Sequence, residues 1–85
     1  MTIRRHGWLQ RRWGTPFGGF VREYGAQALA RRLSARGFSI SDQAVYNWVS
    51  GRTAPRLEII EAIEEESKGR IGFKEIRQHA REVKG

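Results

Sequence analysis

The sequence predicts an all-α fold: a small single-domain bundle of about five helices with a basic N-terminal arm. Three observations support this. Apolar residues recur at helical spacing in successive stretches from Phe17 to Val83. Capping and stop residues punctuate those stretches, notably Thr15-Pro16, Gly25, Gly37, Ser41, Gly51 and Lys68-Gly69. Finally, 85 residues, 39% of them hydrophobic, suffice for one thin core, because chains of this size bury only around two thirds of their unfolded surface.

Residues 1–15 read as the arm and residues 16–85 as the folded domain. The opening stretch MTIRRHGWLQRRWGTPFGG mixes arginines, tryptophans and glycines without periodicity. Thr15 and Pro16 suit an N-cap and first helical position, and Phe17, Phe20, Val21 and Tyr24 share a face. Gly18 and Gly19 weaken that start, so the first helix is expected to form only from near Phe20. After Gly25, AQALARRLSAR makes a second helix with Leu29 and Leu33 inward and Arg31, Arg32 and Arg36 outward, closed by Gly37. Phe38 and Ile40 return to the core. Ser41 caps a third helix from Asp42 to about Ser50, with Val45, Trp48 and Val49 on its inner face and Gly51 as its stop.

Thr53-Ala54-Pro55 is expected to open a fourth helix, with Leu57, Ile60 and Ile63 inside and Glu58, Glu61, Glu64 and Glu65 outside. Phe73, Ile76, Ala80 and Val83 define the last amphipathic helix, which finishes the core or forms a dimer seam. The run Glu64-Glu65-Glu66 reads as a solvated face, the alternative being pairs with arginines of a second subunit.

The net charge is +7, and 13 of the 16 cations are arginine. Residues 1–36 carry +7 and residues 57–85 carry −1, an asymmetry that points one side of the molecule at a polyanion. Arginine forks onto phosphate and guanine edges where lysine offers a point charge. The bland alternative is a solvated basic surface. Without cysteine there is neither a disulfide nor a thiolate zinc site, and a reducing cytoplasm is the expected location. No apolar run reaches membrane-spanning length, and Met1-Thr2-Ile3-Arg4-Arg5 is not followed by a signal-peptide core. His6 and His79 are far apart without ligand-spaced partners, no nucleophile grouping is present, and Gly18-Gly19 lacks a phosphate loop's lysine. No metal, cofactor, small-molecule ligand, membrane partner or enzymatic activity is therefore expected.

The stretch SDQAVYNWVSGRTAP, residues 41–55, carries the functional signal. Gln43 and Asn47 are four apart and share a helix face bordered by Asp42 and Tyr46, while Val45 and Trp48 anchor the opposite side. Gln and Asn offer a donor and an acceptor to adenine in a major groove wide enough to admit a helix. Together with the preceding helix, these are the parts of a helix-turn-helix, with the motif at about residues 26–51.

Here the chain resembles the Cro/CI-type family of phage and bacterial helix-turn-helix regulators, from about Ala26 to Ile63, through ALARRL, SDQAVYNWVSGRTAP and the helix that follows. The resemblance implies a helix-turn-helix bundle that binds double-stranded DNA as a homodimer on an inverted repeat and acts as a repressor by covering a promoter. It implies that Ser41, Asp42, Gln43, Tyr46 and Asn47 meet bases or nearby backbone, and that Arg52 meets phosphate; Gln27, Arg31 and Arg56 are the further candidate phosphate contacts. Two features depart from the family pattern: Ala26 stands where Gln is usual, with Gln27 following, and the connection SARGFSIS is several residues longer than the usual turn.

Trp48, at helical spacing from Val45, reads as core rather than as a base-stacking residue, whereas Tyr46 is equally a DNA contact or plain surface. In the arm, Arg4, Arg5, Arg11 and Arg12 are expected on phosphates or in a minor groove, with Trp8 and Trp13 packed on the core. Removing residues 1–14 is expected to lower affinity on all sequences and flatten its salt dependence. Two other function classes stay open. A recombination or packaging accessory would bind DNA without promoter preference, and a protein-binding module directed at the transcription machinery would bind DNA weakly and without salt sensitivity.

Overall fold

The computed structural model describes residues 12–84. Among them are five helices and no strand: α1 Pro16–Tyr24, α2 Ala26–Ala35, α3 Asp42–Ser50, α4 Leu57–Glu66 and α5 Phe73–Lys84. They enclose one core built from Phe17, Phe20 and Val21 of α1, Leu29 and Leu33 of α2, Val45, Trp48 and Val49 of α3, Ile59, Ile60 and Ile63 of α4, then Ile71 and Ile76. Arg4, Arg5, Arg11 and Trp8 of the arm lie outside the described residues.

α1 starts at Pro16, earlier than the glycines suggest. Thr15 is its N-cap, its Oγ1 accepting the Gly18 amide at 2.9 Å, which satisfies one donor of the first turn. Gly18 is also a packing requirement, because a methyl there would overlap the backbone carbonyl of Arg12. Gly25, at φ 95°, both ends α1 and begins α2, so the two helices meet across one residue.

α3 has the predicted bounds. Ser41 Oγ accepts the Ala44 amide at 3.2 Å, and Gly51 closes the helix in the left-handed conformation at φ 81°. The Arg52 and Thr53 amides then return to the Asn47 carbonyl at 2.9 and 3.3 Å.

α4 departs from its predicted form. Residues 54–56 stay outside the helix, Arg56 being the N-cap, and Leu57 is 58% exposed. Ile59, Ile60, Ala62 and Ile63 form the buried arc, and at 100° per residue Leu57 falls opposite its centre. Lys68 and Gly69, at φ 56° and 85°, turn the chain after Glu66, with the Gly69 amide on the Glu64 carbonyl at 2.8 Å.

α5 differs in the same way. Phe73 is 54% exposed, and the inner face consists of Ile76 and His79 with Ala80 and Val83 half-buried beside them. His79 is 1% exposed. Its ring meets Phe17 edge-on at 5.2 Å, its Nδ1 lies 2.5 Å from Thr15 Oγ1, and its Nε2 lies 2.7 Å from the Val49 carbonyl. The carbonyl can only accept, so Nε2 carries the proton and the Thr15 hydroxyl donates to Nδ1. One neutral histidine thus ties the start of α1 to the end of α3. Burial pushes its pKa below the ordinary value and Arg12 acts in the same direction, against the Val49 carbonyl and Glu82.

No helix among the described residues is long and apolar enough to cross a membrane.

Candidate nucleic-acid interface

α3 places the predicted reading residues by burying their opposites. Val45 and Val49 are at most 1% exposed and Trp48 is 6% exposed, so the arc across from them faces outward. Asp42, Gln43 and Tyr46 are exposed and Asn47 is half-buried. Gln43 Nε2 donates to Asn47 Oδ1 at 3.2 Å, so the two amides form one paired unit on that face. Ser41 is exposed at the helix start, with its hydroxyl engaged in the cap.

One side chain braces the long connection between α2 and α3 at both backbone polar atoms of Ile40. Ser34 Oγ donates to the Ile40 carbonyl at 3.0 Å and accepts the Ile40 amide at 3.3 Å. Phe38 and Ile40 pack against the core from the same segment. This pair of hydrogen bonds and the packing of Phe38 and Ile40 fold the extra residues back onto α2, so their number does not leave α3 loosely attached. Ser34 carries no signal in the sequence, since its partner lies six residues ahead across a turn.

Gln27 and Arg31 of α2 come together with Ser41 and Asp42 around a shallow groove of about 420 Å³, along with Ala30, Ser34 and Ile40. Arg52 and Arg56 are exposed on the loop that leaves the other end of α3. A nine-residue helix is roughly 13 Å long, so cations bracket an outer face about as long as a major groove is wide. Tyr46 belongs to a different hollow, of about 390 Å³, lined by Trp13, Val21, Arg22, Gly25 and Ala26. Trp13 and Arg22 are neighbours of α3 that sequence reasoning missed, because only the fold brings them near Tyr46. Trp13 is half-buried against the core, so cutting the arm after residue 14 would remove a packed side chain as well as charge.

The arginines of α2 fall into two groups. Arg31 has no ion pair among the described residues, and neither do Arg52 and Arg56. Arg32 and Arg36 instead meet Glu66 at 2.9 and 2.7 Å, and Arg36 also meets Glu65 at 2.8 Å. The reading of Glu64-Glu65-Glu66 as a solvated run is therefore corrected at Glu66, whose side chain is only 9% exposed. Tyr24 donates to it at 3.1 Å. Burial pushes the Glu66 carboxyl up, but the bonds from Arg32, Arg36 and Tyr24 outweigh that and hold it below the usual range. Burial and the Glu66 bond raise the Tyr24 phenol, and Glu65 followed by Glu66 raises the Arg36 guanidinium.

No group of three or more potential metal ligands occurs among the described residues. No protein-family model matches the chain, and neither a curated protein nor a solved structure matches it.

Proposed function

We propose that the chain binds double-stranded DNA by sequence and regulates transcription, as a homodimeric repressor on an inverted repeat, with α3 in the major groove. The observation that carries this reading is the outer face of α3. Two amide side chains stand there on a helix capped at both ends, bracketed by Arg31, Arg52 and Arg56, which have no ion pair among the described residues. Phosphate contacts from those arginines and Gln27 would supply affinity, while Gln43, Asn47, Asp42, Ser41 and Tyr46 would supply the choice of sequence. Arg32 and Arg36 are paired with glutamates, so of the α2 arginines Arg31 is the one with its charge open beside α3, which supports this reading.

Selection from a random duplex library near physiological salt tests the reading. Enrichment of an inverted repeat supports it. Retention with no enriched sequence favours an accessory role in DNA processing, and no retention favours a protein partner. Removing residues 1–11, which spares Trp13, is expected to lower affinity on every sequence and flatten the salt dependence by about one unit of slope per lost phosphate contact; an unchanged slope would take the arm out of the mechanism.

A further inference from the structure

We propose that the outer face of α5 is a second phosphate-binding face, which holds a duplex other than the one read by α3, so that one chain bridges two DNA segments. The proposal rests on α3 being a DNA-binding face. Lys74, Arg77 and Arg81 are exposed and stand at i, i+3 and i+7, directly opposite the buried Ile76 and His79. With Phe73 and Gln78 they line a shallow concavity of about 480 Å³. Seven residues of helix rise roughly 10 Å, which spans about three phosphates along one strand.

These cations have no carboxylate partner among the described residues, in contrast to Arg32, Arg36 and Arg70. Arg77 lies over the Phe73 ring at 5.9 Å, an arrangement that leaves its charge available. Neither carboxylate of α5 forms an ion pair with these three cations among the described residues. Glu75 accepts the Gly72 amide at 2.8 Å, and Glu82, at the border of the stripe, accepts from Gln78 at 2.9 Å.

The direction of the stripe separates it from the α3 site. His79, on the inner face of α5, bonds the Val49 carbonyl at the C-terminal end of α3, and the stripe lies on the other side of α5, turned away from the contact that joins the two helices. A second copy could offer Glu58, Glu61 and Glu64, which are exposed on α4, but an interface of that kind needs an apolar centre. Phe73 is the sole large apolar side chain in the α5 hollow. A continuous row of phosphates fits the stripe better.

The test uses the full chain, a duplex tethered to beads and a fluorescent duplex free in solution, with the variant Lys74→Gln/Arg77→Gln/Arg81→Gln. Glutamine is a good helix former, and all three positions are exposed, so the fold is kept and is checked by circular dichroism. The wild-type chain is expected to retain the fluorescent duplex on the beads. The variant is expected to stay on the tethered duplex with its sequence preference intact, yet retain on the order of tenfold less of the second duplex, as loss of about three phosphate contacts implies. Undiminished retention by the variant would overturn the proposal and assign bridging to two α3 faces of a dimer. A wild-type dimer that becomes monomeric in the variant, seen by sedimentation, would overturn it by making the stripe a protein seam. If the wild-type chain fails to bind the tethered duplex, the reading of α3 is itself wrong, and the proposal falls with it.

Discussion

α3 and α5 are neighbouring amphipathic helices held to the core in opposite ways. α3 turns three apolar side chains inward and amides outward; α5 turns Ile76 and a histidine inward, and leaves Phe73 in solvent among cations. The anchor of α3 is burial, which has no direction and no titration. α5 adds to the burial of Ile76 a relay from the Thr15 hydroxyl through His79 to the Val49 carbonyl, which requires a neutral ring. The difference shows that a polar side chain can occupy the centre of an inner face when each of its polar atoms has a partner there. It also makes the two anchors separable by experiment.

The largest expected effect is on the α3 anchor. Trp48→Ala should cost about 3–5 kcal/mol, a large part of a small domain's total stability, read as a lower urea midpoint by circular dichroism. A loss under about 1 kcal/mol would mean that α3 is held by something other than Trp48. Next comes the relay. His79→Leu should cost about 1–3 kcal/mol, because it strands the Thr15 hydroxyl proton and the Val49 carbonyl without a partner.

The relay also sets a pH dependence. The unfolded chain takes up a proton on His79 near the ordinary value of 6.5, whereas the folded chain does so only at lower pH. Between those points the unfolded state binds more protons, so stability is complete above about 6.5 and falls as the pH drops below it. Thermal unfolding from about pH 7 towards pH 5 should show this decline in the wild-type chain and a flatter profile in His79→Leu. Equal slopes would place the titration on another group.

Of intermediate size is the effect of Asn47→Ala on binding, about 1–3 kcal/mol at one base step of a selected duplex. The change leaves the α3 anchor in place, so stability should hardly move. An equal loss of affinity on every sequence would make Asn47 a backbone contact and remove it from the reading set.

How much of this was legible in the sequence depended on how local the cause was. The bounds of α3 follow from Ser41 and Gly51, each acting within its own turn, and its polar face follows from helical spacing alone. On α4, Ile60 and Ile63 are inward as their spacing predicts, but Leu57 matches the same period as well as Ile59 does, and only packing chooses between those two. Distance hid the rest: His79 bonds Thr15 across 64 positions, and Arg32 bonds Glu66 across 34. For the same reason the unpaired arginines around α3 could not be told from the paired ones by inspection of the chain. Nor could the Ser34 brace or the place of Trp13 and Arg22 beside Tyr46.

The smallest expected effect completes the contrast between the helices. Phe73 heads α5 and matches its apolar spacing, but it is 54% exposed and stands outside the core. Phe73→Ser should therefore change stability by no more than about 0.5 kcal/mol, while Ile76→Ala, on the inner face of the same helix, should cost about 2–5 kcal/mol. The pair is compared by urea unfolding under one set of conditions. A loss at Phe73 approaching that at Ile76 would mean that its ring is covered in solution. Such a result would also count against the α5 stripe as a DNA face, because a ring packed against protein would take Arg77, which lies over it, into the same contact.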